Sequence, residues 1–223
     1  MTAMKASELE SARVTRILRD DIVLGRRLPG ARLIERDIAA ELHVSRLPVR
    51  EAIRALVTEG IVVARPRSWA VVREFTMQDV QDYAEVRSAI ETQLFILATK
   101  RHDEQGLAEL RNVLAREERA AREGDVQESR AASGAFHEYM AVLAGNEMFV
   151  ELASVFATRL KWVFGLHGDL VAMAADHRML YDAIAARDVE LVTELVTTHL
   201  AAGRAAAEQR FGRGASASAA PLD

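Results

Sequence analysis

The sequence predicts a mainly α-helical protein in two parts: a small N-terminal domain over residues 1–75 and an all-α bundle of about six helices over 76–208. Three observations carry this. Apolar residues recur at helical spacing through almost the whole chain. The two β-rich runs sit together, at 61–64 and 69–72. The character changes at Thr76, after which no proline interrupts the pattern until the tail.

The elements follow in order. Leu9, Val14, Ile17, Leu18, Ile22 and Val23 mark a first helix over 9–24. Gly25 to Gly30, containing Pro29, breaks it with a turn. Ile38, Ala39 and Leu42 share one face of a short helix over 34–42. Ser45 suits an N-cap, and Pro48 falls in the first turn of the next helix, where a missing N–H matters little. That helix turns Val49, Ile53, Leu56 and Val57 inward and stops at Gly60. Two β-rich runs around the turn Arg65-Pro66-Arg67-Ser68 read as a hairpin. Six further helices are expected at about 76–101, 103–123, 125–144, 146–165, 168–187 and 188–208, with capping residues at Thr76, Asp103, Asp125 and Asn146. Short breaks between them imply antiparallel neighbours. Residues 209–223 are rich in Gly, Ala and Ser and read as a disordered tail.

Composition narrows the function. The 223 residues include no cysteine, which excludes disulfides, thiolate-bound metals and thiol catalysis. No apolar run approaches a membrane span, and the N-terminus is not a signal peptide, so a cytoplasmic location is expected. The net charge of −4 argues against nucleic acid until it is divided. Residues 1–75 carry 14 Lys and Arg against 10 Asp and Glu, a net of +4; the remainder carries −8. The small domain is therefore the cationic one.

Helix, helix, turn, helix and hairpin together make a winged helix-turn-helix, whose third helix would enter a major groove. Arg46, Arg50 and Arg54 recur every four residues along one face of that helix, opposite Ile53 and Leu56. Arginine suits guanine edges and phosphates because its planar fork donates two bonds at once. Leu47 and Pro48, in its first turn, offer shape and apolar contact to a base. The run Leu28-Pro29-Gly30-Ala31-Arg32-Leu33, the run Val44 to Ala52 (VSRLPVREA), Leu56 and Glu59-Gly60 resemble the GntR family of bacterial transcription regulators. The resemblance implies that Arg36, Ser45, Arg46 and Arg50 contact an operator and that Arg67 reaches the minor groove. Where the family usually has Gly after the wing arginine, this chain has Ser68, followed by Trp69.

The second part is similar to the ligand-binding domain of the FadR/VanR branch of that family. The residues that carry this are Val86 to Glu91, Phe136-His137, Gly145-Asn146, Asp176 to Ile184 and His199-Leu200. Spacing alone turns His137, His177 and His199 inward from three different helices. The resemblance implies a divalent metal there (zinc, nickel, iron or manganese) helping to hold a small carboxylate effector. Ser133 stands where the family has an aspartate ligand, one helical turn before His137. The site is then either three histidines plus water or a metal-free polar pocket. Arg87, paired with Glu91 at i,i+4, is the candidate grip on an anionic effector, with Ser133, Arg159 and Tyr181 as further lining. Trp162 and Phe164 lie either over the pocket or at a subunit contact.

The resulting expectation is a homodimer on a palindromic operator in double-stranded DNA, repressing until a small carboxylate metabolite releases it. Two other readings remain. One is a bundle that has lost effector binding and acts through DNA and protein contacts alone. The other is a three-His metalloenzyme, opposed by the missing acidic ligand and by the absence of a general base. The chain is expected not to be an enzyme.

Overall fold

The computed structural model describes residues 2–65, 69–166 and 168–218. Within them the chain forms two compact units, Met1–Phe75 and Thr76–Asp223.

In the first unit, α1 (Thr2–Val23), α2 (Glu35–Glu41) and α3 (Arg46–Thr58) pack with β1 (Arg32–Leu33), β2 (Val62–Ala64) and β3 (Ala70–Val72). Val14, Leu18 and Ile22 of α1 are fully buried with Val49, Ala52 and Leu56 of α3, as their spacing requires. Leu9, on the same expected stripe, is exposed. Arg19 of α1 pairs with Glu59 just past α3, donating from both Nε and Nη2. α2 ends with the Val44 N–H on Ala39 O and the His43 N–H on Ala40 O, a Schellman turn. The left-handed position of that turn is His43, at φ 54°.

The expected hairpin is the larger part of a three-stranded sheet, order β1-β3-β2. Arg32 and Leu33 pair antiparallel with Val71 and Ala70, which covers the outer edge of β3. Gly30 turns the chain into β1 at φ 78°, and a Cβ there would meet the Glu74 carboxylate at 2.8 Å. The Arg32 guanidinium lies 4.3 Å from the Trp69 ring centre. Ser45 holds the N-cap position of α3, but its side chain makes no capping bond. The residue three positions on is Pro48, which has no N–H to donate.

Among the described residues the second unit is six helices: α4 (Met77–Arg101), α5 (Glu104–Glu123), α6 (Val126–Ala144), α7 (Glu147–Phe164), α8 (Leu170–Ala185) and α9 (Val189–Ser218). Thr76, Asp103, Asp125 and Asn146 all accept capping bonds from the first turn, and Thr76 forms a full capping box with Asp79. Asp169 does the same for α8. α9 continues to Ser218, past the boundary at 208 that composition suggests. Ala205, Ala206 and Ala207 are strong helix formers, and an isolated glycine does not stop a helix already formed. The core joins Phe95, Leu110, Leu114, Phe136, Met140, Leu180 and Val196. No helix among the described residues is long and apolar enough to cross a membrane.

Three helix C-termini in this unit are held by arginines distant in sequence. Arg101 donates to Ala144 O at the end of α6. Arg187 donates to Lys100 O and His102 O at the end of α4. Arg210 donates to Trp162 O and Val163 O at the end of α7. Each brings positive charge to the negative end of a helix dipole and satisfies carbonyls that have no partner within their own helix.

Candidate functional site

In the first unit, α3 presents Arg46, Arg50 and Arg54 on an exposed face, with Leu47 54% exposed beside them. Glu35, at the start of α2, accepts both Arg50 bonds (2.9 and 3.0 Å) and one from Arg46 (3.3 Å). The Arg50 hydrogen bond holds the Glu35 carboxyl below its ordinary range. Glu35 thus fixes the two arginines relative to each other, a role the sequence reading did not assign. Arg36 is largely exposed and pairs with Asp37 at 2.8 Å. Ser45 is exposed. Pro48 is buried with Val49, which corrects the expectation of base contact by Pro48: its ring faces the unit's own core. Arg67 lies outside the described residues.

In the second unit, the three histidines come together from α6, α8 and α9. His137 Nε2 lies 3.2 Å from His177 Nε2 and 3.3 Å from His199 Nε2. The other ring nitrogens face outward onto carboxylates. His177 Nδ1 lies 2.8 and 3.0 Å from the two Glu117 oxygens, His137 Nδ1 lies 2.8 Å from Glu91, and His199 Nδ1 lies 4.0 Å from Asp176. A proton held by Glu117 on His177 Nδ1 turns that ring's Nε2 lone pair to the point the three Nε2 atoms share, the arrangement that metal-ligating histidines use. Burial holds the His177 pKa well below 6.5, and the neighbouring His137 and Arg87 lower it further. Phe136 stacks on His177 with ring centres 4.4 Å apart.

The carboxylates also supply the negative charge that Ser133 does not. Burial pushes Glu117 up to about 7, against the opposing pull of His137 and of a hydrogen bond from Ser133. Burial would raise Glu91 too, but the Arg87 guanidinium and His137 outweigh it and hold that carboxyl at about 2. Glu117 had a legible signal. It follows Leu110 and Leu114 on the buried stripe of α5, an acid at an apolar position.

Beside the histidines, α4, α6 and α7 enclose a cavity of about 300 Å³. Arg87, Glu91, Ser133, His137, Glu138, Ser154 and Lys161 form its polar lining. Arg87 is buried, donates to Glu91 at 2.8 Å and lies 4.9 Å from the Phe164 ring centre. Its Nη1 is buried with no hydrogen-bond partner among the described residues. Gly134 leaves room for the Lys161 side chain: a Cβ there would stand 3.2 Å from Lys161 Cε. Phe164 lines the cavity, whereas Trp162 does not.

Two expected lining residues are elsewhere. Arg159 turns toward Tyr83 and Phe156, because it lies off the α7 face that carries Ala153, Ala157, Leu160 and Lys161. Tyr181 is buried in the core beneath Arg178, on a helix that forms no wall of the cavity.

The chain matches the gntR family of bacterial regulatory proteins over residues 10–72 and the FCD domain over 82–202. It is 32% identical over 179 residues to an uncharacterized HTH-type transcriptional regulator in an unstable DNA locus of Streptomyces ambofaciens, covering 78% of this chain and 75% of that protein. It is 30% identical over 185 residues to a probable D-xylose utilization operon transcriptional repressor of Paenarthrobacter nicotinovorans, covering 82% and 81%. Among solved structures, a putative GntR transcriptional regulator from Rhodococcus sp. RHA1 superposes with a TM-score of 0.72 at 28% identity, covering 88% of this chain and 96% of that one. E. coli McbR/YncC shares the fold with a TM-score of 0.79 at 23% identity, covering 91% and 98%. These relatives are regulators, not enzymes. The chain belongs to the GntR family of bacterial transcription regulators, with an FCD domain as its all-helical C-terminal unit.

Proposed function

We propose that this regulator is ligand-responsive: a homodimer that holds a palindromic operator until a small carboxylate binds its helical unit. The observation that carries this reading is the convergence of three histidine Nε2 atoms beside a cavity where buried Arg87 has an unpaired Nη1. The donor set fits a divalent metal, since three Nε2 atoms converge and a carboxylate stands 2.8 Å behind the Nδ1 of both His137 and His177. His137, His177 and His199 would hold it. Bound there, it would supply positive charge and open positions for a carboxylate oxygen.

The protein's own groups do the rest. Glu117 orients the His177 imidazole and Glu91 stands against that of His137. Arg87 donates to the anion from Nη1. Ser133 keeps its hydroxyl on Glu117 in place of a direct acidic ligand. On DNA, Arg36, Ser45, Arg46, Leu47 and Arg50 face the operator, and Arg67 of the wing reaches the minor groove. One α3 reads one half-site, so two copies match a palindrome. The ligand shifts the DNA-bound state only by its differential affinity for the two states.

Metal analysis of untagged protein, with His177→Ala as control, tests the centre. Stoichiometric metal lost in the variant supports it, and none after reconstitution sinks it. Selection of bound genomic sites tests the operator. The assignment fails if Arg46→Ala and Arg50→Ala bind those sites as well as the parent.

A further inference from the structure

We infer that the ligand of this cavity is a monocarboxylate with a straight apolar chain, rather than a sugar acid or an extended dicarboxylate. The inference rests on the proposed ligand site and names the class that site takes. Polarity in the cavity runs along its helices. On α4 the lining passes from Arg87 through Glu91 to Leu94, and on α6 from Ser133 through His137 to Ala141. α7 runs the other way, because Phe164 near its end meets Arg87 and Lys161 meets Gly134. Its earlier turns, with Val150, Ala153, Ser154 and Ala157, therefore lie toward Leu94 and Ala141. Both cations that line the cavity, Arg87 and Lys161, stand at the polar end.

A carboxylate head meets partners at that end. Farther along, the polar lining is Glu138, whose charge opposes a second carboxylate, and Ser154, whose hydroxyl already donates to Glu151 O; the rest is hydrocarbon, where a hydroxyl or carboxylate loses its hydration without replacement. A methylene in the same place gains from burial, about fourfold in affinity each. At about 300 Å³ the cavity is at the small end of the usual range, which limits the length rewarded.

Calorimetric titration of the full chain, reconstituted with zinc, tests this using acetate, butyrate, hexanoate, gluconate and adipate. Hexanoate, gluconate and adipate share a six-carbon chain and differ in polarity. Affinity is expected to climb from acetate to hexanoate by about fourfold per methylene. Gluconate and adipate are expected to bind at least about tenfold more weakly than hexanoate. Gluconate or adipate binding as tightly as hexanoate would overturn the inference and leave the ligand site standing. No binding by any of the five would overturn the ligand site itself. Ala157→Leu, checked for unchanged melting temperature and zinc content, should weaken hexanoate at least about fourfold and spare acetate. An equal loss for both would contradict the assigned polarity of the cavity.

Discussion

Replacing Glu117 with Gln should move metal affinity and metal-free stability in opposite directions. The side chain is fully buried, with both oxygens within 3.0 Å of His177 Nδ1. The Gln carbonyl can still accept the Nδ1 proton, but the negative charge that raises the basicity of Nε2 is gone. Losses of such partners cost metal sites about 10- to 100-fold in affinity. Without metal the same charge is a burden. Burial raises the carboxyl from 4.5 to about 7, so the folded state binds the proton more tightly than the unfolded chain does. Below pH 4.5 the group is protonated in both states, and the contribution of that proton to stability is fully present. As pH rises toward and through 7 that contribution is lost, up to roughly 3 kcal/mol. The assay is urea denaturation of chelator-treated parent and Glu117→Gln at pH 5 and pH 8, with competitive zinc titration alongside. The parent should lose stability relative to the variant at pH 8, while the variant binds zinc more weakly. Parallel pH profiles with equal zinc affinity would refute the reasoning.

Other expectations follow from single contacts. His43→Gly should stabilise the first unit by about 1 kcal/mol, since a left-handed backbone suits glycine; hydrogen exchange of the α2 and α3 amides reads it. Arg50→Ala should weaken operator binding at least about tenfold and reduce the slope of log affinity against log salt by roughly 1, measured by fluorescence anisotropy. Glu35→Gln should tighten binding to random DNA and narrow the operator-to-random ratio, because two arginines lose the anion that fixes them. Arg187→Ala should cost about 1–2 kcal/mol through the freed carbonyls of α4, and Arg187→Gly less, because glycine relieves φ 57°. Exchange rates at the end of α4 separate the two.

The helices of the second unit were legible because their ends are chemically marked. Thr76, Asp103, Asp125 and Asn146 each cap where expected. The inward histidines were legible from periodicity, since each lies on a stripe that must be buried. Strand β1 was not, because two residues have no period and Arg32–Leu33 is a strand only through its pairing with β3. The Ser45 cap failed for a reason present in the sequence, the proline three residues on. Arg159 and Tyr181 show the limit of reading a lining residue without knowing which helices form the walls. Lys161 was illegible for the same reason: its place depends on Gly134, a residue of another helix. The arginine clasps at helix ends join residues 43 or more apart, and no local pattern marks such a distance.

The order of the histidines along the chain has a consequence for synthesis. His137 and His199 touch across 62 residues, and α9, which carries His199, is the last helix of its unit to be made. At about 5–20 residues per second, roughly 3–12 s separate the translation of the two. During that interval α4 lacks its α9 neighbour, and even after His177 is made, over the last 22 residues, it and His137 are without the third ring. The complete set of three histidines is therefore a property only of chains translated through α9, and a chain cut short before it would carry the N-terminal unit with the centre unfinished.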